Sequence, residues 1–246
     1  MPKANELAIK DSEVLAMFQA DAQVGLEDAG DGGATPMLVM LSSQSMAIKE
    51  DERDAGGNDL KIGKFFHTET RIQYEALEVN ILYIKEAYLP KFQKPDETAL
   101  NYIIGGIIRD ETKAPFIMYI KGLSLSSFFE FKTDVARVTG NKQQPIPLYA
   151  LIVKLSKEQK ESKGFGKVNT IKVAVVRSET GFPMIETDKD TLLWLRDGYA
   201  RVKNSISSLV DKQDSDTTVQ EARENVIEGE ISHEEAADIA DDMPFS

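Results

Sequence analysis

The sequence predicts a mainly β protein with added helices (α+β), built as a small closed or partly open barrel. Three observations carry this. Between Pro36 and about Arg177, short apolar or alternating runs recur, broken by polar or glycine segments. Two stretches, 125–140 and 187–210, instead space their large apolar residues at helical intervals. From Asp211 onward large apolar residues are scarce and charge is dense, which predicts a disordered acidic tail. The chain thus divides into an N-terminal helix and acidic linker (1–33), a β domain with a C-terminal helix (34–210) and the tail (211–246).

Each element has its own signal. Asp11 and Ser12 suit the cap of a short helix whose apolar face is Val14, Leu15, Phe18 and Ala22. "GLEDAGDGGAT" (25–35) reads as a linker. "PMLVMLSS", "LKIGKFFH", "ALEVNILYIKEAY", "YIIGGIIR" and "APFIMYIKG" read as strands. "LSSFFEFKTDVARVTG" (125–140) breaks that rhythm. Ser126 or Ser127 is its expected cap, Phe128, Phe131, Val135 and Val138 its apolar face, and Gly140 its stop. "PIPLYALIVKLS" and "GKVNTIKVAVVR" read as two further strands joined by the loop "KEQKESKGF" (157–165). Thr187 or Asp188 then caps a helix with the stripe Leu192, Leu195, Tyr199, Val202 and Ile206. Trp194, amid Leu192, Leu193 and Leu195, is expected in the core.

The net charge of −12 argues against nucleic-acid binding until its distribution is read. Residues 1–33 carry a net −5 and residues 211–246 a net −10, whereas residues 34–210 carry +3. Within the middle, residues 121–177 hold eleven Lys/Arg against four Asp/Glu. A basic region therefore lies between two acidic ends, an asymmetry that bears on partners.

The tail ends "DIADDMPFS". A flexible polyanion bearing one apolar anchor suits a partner with a basic rim around an aromatic-sized pocket; the plain alternative is a solubilising tail. Asp238, Asp241, Asp242, Pro244 and Phe245 resemble the acidic C-terminal tip of bacterial and phage single-stranded DNA-binding proteins. That family usually ends on Phe, whereas Ser246 follows here. The blocks "LAMFQADAQVGLEDAG", "PMLVMLSSQS" and "KIGKFFHTET" are similar to phage-encoded proteins of single-stranded DNA-binding type. The resemblance implies an oligonucleotide-binding (OB)-like barrel and a bacteriophage or prophage origin. It also implies that the tip recruits DNA replication, recombination and repair proteins and competes with DNA for the basic surface.

Two basic patches are candidates for DNA contact. Lys154, Lys157, Lys160, Lys163 and Lys167 cluster on the expected hairpin loop with Phe165 between two glycines, suiting phosphates and a stacked base. The bland reading of that segment is a solvated lysine loop. In "YIKEAYLPKFQK" (83–94), Lys85, Lys91 and Lys94 interleave with Tyr88 and Phe92, while Tyr83 fits core packing equally well. Lys121 and Lys172, in the basic stretch 121–177, complete the set.

Catalytic readings fail on spacing. "GFGK" (164–167) lacks the spacing of a phosphate-binding loop, and the two histidines, His67 and His233, support no triad or metal site. "EDERDAGGND" (50–59) misses calcium-loop spacing and reads as a solvated turn. Cysteine is absent, which excludes disulfides. No apolar run has membrane-spanning length and no signal-peptide pattern follows Met1, so a cytoplasmic protein is expected. The expectation is a non-enzymatic single-stranded DNA-binding protein without metal or cofactor, with which a homo-oligomer is compatible. Two alternatives stand beside it: an acidic adaptor or nucleic-acid-mimicking inhibitor without DNA affinity, and a strand-annealing recombinase.

Overall fold

The computed structural model describes residues 36–90, 97–140, 145–162 and 166–214, with side chains to residue 210. The expected helix over 11–22 lies outside them. In chain order the elements are β1 (Leu38–Met40), α1 (Met46–Lys49), β2 (Phe65–His67), β3 (Gln73–Tyr74), β4 (Ala76–Pro90) and β5 (Thr98–Ile108). There follow β6 (Pro115–Lys121), α2 (Leu125–Thr139), β7 (Val153–Ser162), β8 (Gly166–Val175) and α3 (Lys189–Asp214). The chain is mostly β, as its alternating apolar runs require.

The larger sheet has the order β6-β5-β4-β7-β8, every pair antiparallel. It curls into a half-barrel. β4 makes this possible by serving two ladders. Its first residues, Ala76–Val79, pair with Ser156–Val153, and Val79–Pro90 pair with β5. A register shift between Ile81 and Tyr83 marks a bulge, which bends a strand and increases its twist. The smaller sheet, β1-β2-β3, continues from the β6 edge: Met37 bridges Ile117 in parallel, and the Ile117 N–H donates to the Pro36 carbonyl at 2.8 Å. Buried His67 braces this junction. Its Nδ1 accepts from the Thr70 N–H at 3.1 Å, which leaves Nε2–H to donate to the Pro115 carbonyl at 2.9 Å.

Alternation divides the sheet into two faces. Leu77, Val79, Ile81, Ile104, Leu155 and Val173 line the concave face, where α2 adds Phe128, Phe131 and Val135. α2 packs on β8 and touches β6, so one helix reaches between the two outer strands. It also answers the open edge of β8. The Ile171 N–H donates to Ser124 Oγ, and Ser127 Oγ donates to the Ile171 carbonyl, both at 3.0 Å. On the outer face, α3 lies over β4 and β5 with Leu192, Leu195, Val202 and Ile206 buried. That contact depends on Gly105. A Cβ there would sit 2.3 Å from Val202 Cγ1 and 2.8 Å from Ile206 Cδ1.

Several expectations need correction. The described part of "KEQKESKGF" is strand rather than loop: residues 157–162 extend β7 as far as Ser162. "PIPLYALIVKLS" holds a 3₁₀ turn at Leu148–Ala150, and strand starts only at Val153. Pro147 lacks an N–H, and Asn80 Nδ2 takes up the Tyr149 and Leu151 carbonyls, so only an isolated antiparallel bridge, Leu151 to Ile185, forms there. The strand expected from "LKIGKFFH" shortens to Phe65–His67, since Gly63 turns the chain at φ +83°. α2 begins after Ser124, and neither Ser126 nor Ser127 caps it. Asp188 does cap α3, its Oδ2 accepting from the Thr191 N–H at 2.8 Å, and the helix continues past the expected boundary at 211. Trp194 is not core but 37% exposed; it falls off the buried stripe, with Lys113 Nζ 5.8 Å from the ring centre.

Candidate nucleic-acid interface

The β7–β8 ladder determines where each hairpin lysine goes. Lys154 and Lys172 stand exposed on the outer face, Lys154 opposite Glu78 of β4 and Lys172 opposite Ser156. Lys157 and Lys167 belong to the alternate set, which near the hairpin base holds the core residues Leu155 and Val173. Lys160 is tethered rather than free. Its Nζ donates to the Leu123 carbonyl at 3.2 Å and to Ser126 Oγ at 2.5 Å, and pairs with Glu158 at 3.2 Å. It joins the hairpin to the start of α2.

Lys157 meets two cations that the sequence reading did not single out. It packs beside Gly63, and with Lys61 and Lys64 it surrounds Glu75. Lys64 bonds Glu75 at 3.0 Å, and this bond, then the charges of Lys64, Lys157 and Lys61, holds the exposed carboxyl below its ordinary range. Lys61 and Lys64 also border an open polar groove of about 520 Å³ with Arg53, Asp54 and Gln73. Asp54 builds the turn beneath it, as expected for a solvated turn. Its Oδ1 accepts from the Gly56 and Asn58 N–H groups, and its Oδ2 accepts from Gln73 Nε2.

The second patch divides between faces. Lys85, half-buried, and Lys121, exposed, share the outer face with Tyr83, which is buried against Tyr199 of α3 with ring centres 6.1 Å apart. Tyr88 points to the other side and is 61% exposed. Next to it on that side, Tyr102 Oη donates to Glu86 Oε2 at 2.6 Å. Burial, then this bond, pushes the Tyr102 hydroxyl up to about 12, so it stays a donor. Lys132 of α2 lies 4.2 Å from the Tyr102 ring centre, and Phe129 of α2, 44% exposed, lies 5.9 Å from it.

The structure therefore distributes the expected contacts over both faces. Lys85, Lys121, Lys154 and Lys172 share one, and Tyr88, Lys157 and Lys167 carry the other register. Lys91, Phe92, Lys94, Lys163 and Phe165 lie outside the described residues, as do Asp238, Asp241, Asp242, Pro244 and Phe245. Phe129 and Lys132 escaped the sequence reading because the helical stripe drew attention to Phe128 and Phe131. The adjacent pair Phe128–Phe129 was the available signal, since each helix residue is turned about 100° from the last and the stripe through Phe128, Phe131 and Val135 leaves Phe129 to one side. Among the described residues no group of His, Asp or Glu is placed to hold a metal, and no helix is long and apolar enough to cross a membrane. Comparison of the chain with protein-family models, with characterised proteins and with solved structures finds no match.

Proposed function

We propose that this chain binds single-stranded DNA without regard to sequence, as a non-catalytic coat on an OB-like barrel. Its acidic C-terminal stretch would recruit replication and recombination proteins. The observation that carries the reading is topological. Taken along the chain, β4, β5, β6, α2, β7 and β8 are five strands with a helix between the third and fourth. The first strand is long, bulged and paired with both the second and the fourth. In barrels of this type the connections between strands one and two, and between four and five, engage oligonucleotides. Here those connections join β4 to β5 and β7 to β8, and each basic patch runs along the strand that leads into one of them and on past its end.

Fluorescence anisotropy with labelled oligo-dT at several salt concentrations tests the reading. Tight binding that weakens with salt and is poor for duplex is expected. No binding at about 50 mM salt overturns it and favours the acidic adaptor, because phosphate contacts are strongest at low salt. Removing residues 215–246 should tighten oligo-dT binding, since a tethered polyanion competes at high local concentration. Unchanged affinity at low salt would remove the autoinhibitory part.

A further inference from the structure

Resting on that DNA-binding reading, we infer that the strand crosses the α2 side of the sheet. Its bases stack on Phe129 and Tyr88, and a phosphate is met by Lys132. The outer surface of β4 and β5 is closed to it. α3 packs there so tightly that Gly105 has no room for a methyl group beside Val202 and Ile206, and Tyr83 is 1% exposed beneath Tyr199. A ligand on that surface would have to displace a helix whose apolar stripe is core.

The α2 side is different. Tyr102, 3% exposed, is fixed against Phe128 at 4.9 Å between ring centres, and Phe129 rests on it nearly perpendicular, at 89°. Tyr102 is thus a rigid base under a ring that still meets water. Along the ladder, the pair Glu86–Tyr102 is followed on the same face by Tyr88–Leu100, which places the most exposed tyrosine one step from Tyr102. Two large rings left in solvent, one resting on Tyr102 and one a ladder step from it on the same face, resemble the sequence-tolerant stacking surfaces that hold single strands. Duplex DNA, with its bases already stacked, offers them nothing.

Charge supports the same occupant. Lys132 Nζ donates to Tyr102 Oη at 2.9 Å and lies 4.0 Å from the Glu86 carboxylate, with its side chain 40% exposed. A phosphate arriving at the rings replaces Glu86 as the partner of this ammonium. Glu86 is therefore a built-in competitor for the strand.

The test uses the full chain and labelled oligo-dT at about 50 mM salt, with thermal unfolding recorded for each variant. Phe129→Ala and Tyr88→Ala should each weaken binding by about 5-fold to about 150-fold, the range expected for one stacked base. Phe129→Leu and Tyr88→Leu, which keep an apolar side chain, should weaken it as well. Glu86→Gln should tighten it severalfold, and Lys203→Gln on the outer side should leave it unchanged. Photocrosslinking to bromodeoxyuridine DNA should map to residues 88 or 129. If the unaltered chain fails to bind, the DNA reading falls. If it binds and both leucine variants match it, or crosslinks confine themselves to α3, the DNA reading stands and this placement falls.

Discussion

β5 meets a helix on each side, and the two contacts are made differently. On the outer side, glycine lets α3 approach closely, and aliphatic Val202 and Ile206 fill the contact. On the concave side, rings hold α2: Tyr102 meets Phe128, and Phe128 meets Phe131 at 5.6 Å. Close aliphatic packing leaves no opening, whereas ring-on-ring packing ends in rings that project past the helix. The first arrangement is structural, and the second leaves a surface with chemistry to offer.

Stability measurements can break or sharpen this contrast. Phe128→Ala should cost most, about 3 to 5 kcal/mol by urea unfolding, because it empties the junction of α2 with the sheet. Gly105→Ala should follow at about 1 to 3 kcal/mol, as α3 is pushed away. A neutral result there would mean that α3 yields easily and that the outer side is not closed.

Glu186→Gln should have an effect of similar size, about 1.5 to 3 kcal/mol near neutral pH. Arg109 Nη1 bridges Glu186 Oε2 and Asn80 Oδ1, each at 2.9 Å, which fastens the approach to α3 onto the sheet. Burial alone would raise the Glu186 carboxyl. The Asp188 and Thr187 N–H groups and the Arg109 guanidinium outweigh it and hold the carboxyl below its ordinary value. Its contribution is therefore fully present above about pH 4.5 and disappears as pH falls through the lowered value. Thermal unfolding of Glu186→Gln should show a shallower loss of stability below about pH 4.5 than the unaltered chain. The smallest effect belongs to Phe129→Leu, within about 0.5 kcal/mol, since that ring is half in water. A large loss would make Phe129 a packing residue and not a free ring.

Much of this contrast was legible beforehand. The stripe Phe128, Phe131 and Val135 gave away α2, and Leu192, Leu195, Val202 and Ile206 gave away α3, because burial on a helix imposes a period that survives in sequence. The hairpin was harder. Lys157 to Ser162 is wholly polar, so nothing in it reports a strand; its extended form comes from pairing with β8, a tertiary fact. Trp194 misled because it stands among leucines, although its position is off the stripe. The exposed rings were half visible: Tyr88 was found at a strand end, but Phe129 was not. The division of lysines between faces needed the register of the ladder, which no composition count contains.

The ladder between β4 and β7 bears on how the chain reaches this form. β4, β5 and β6 pair with immediate neighbours, and so do β7 and β8, so each group can assemble locally. Only the four pairs from Ala76–Ser156 to Val79–Val153 join the two groups directly within the larger sheet. Closing that long loop costs chain entropy before any contact rewards it, so the meeting of β4 with β7 is the expected slow event in folding. Truncations at Leu77 or Leu155 should then slow refolding more than they speed unfolding, and an effect confined to the unfolding rate would place the barrier elsewhere. A four-pair ladder, a minor part of the sheet by length, would then set the tempo for the whole molecule.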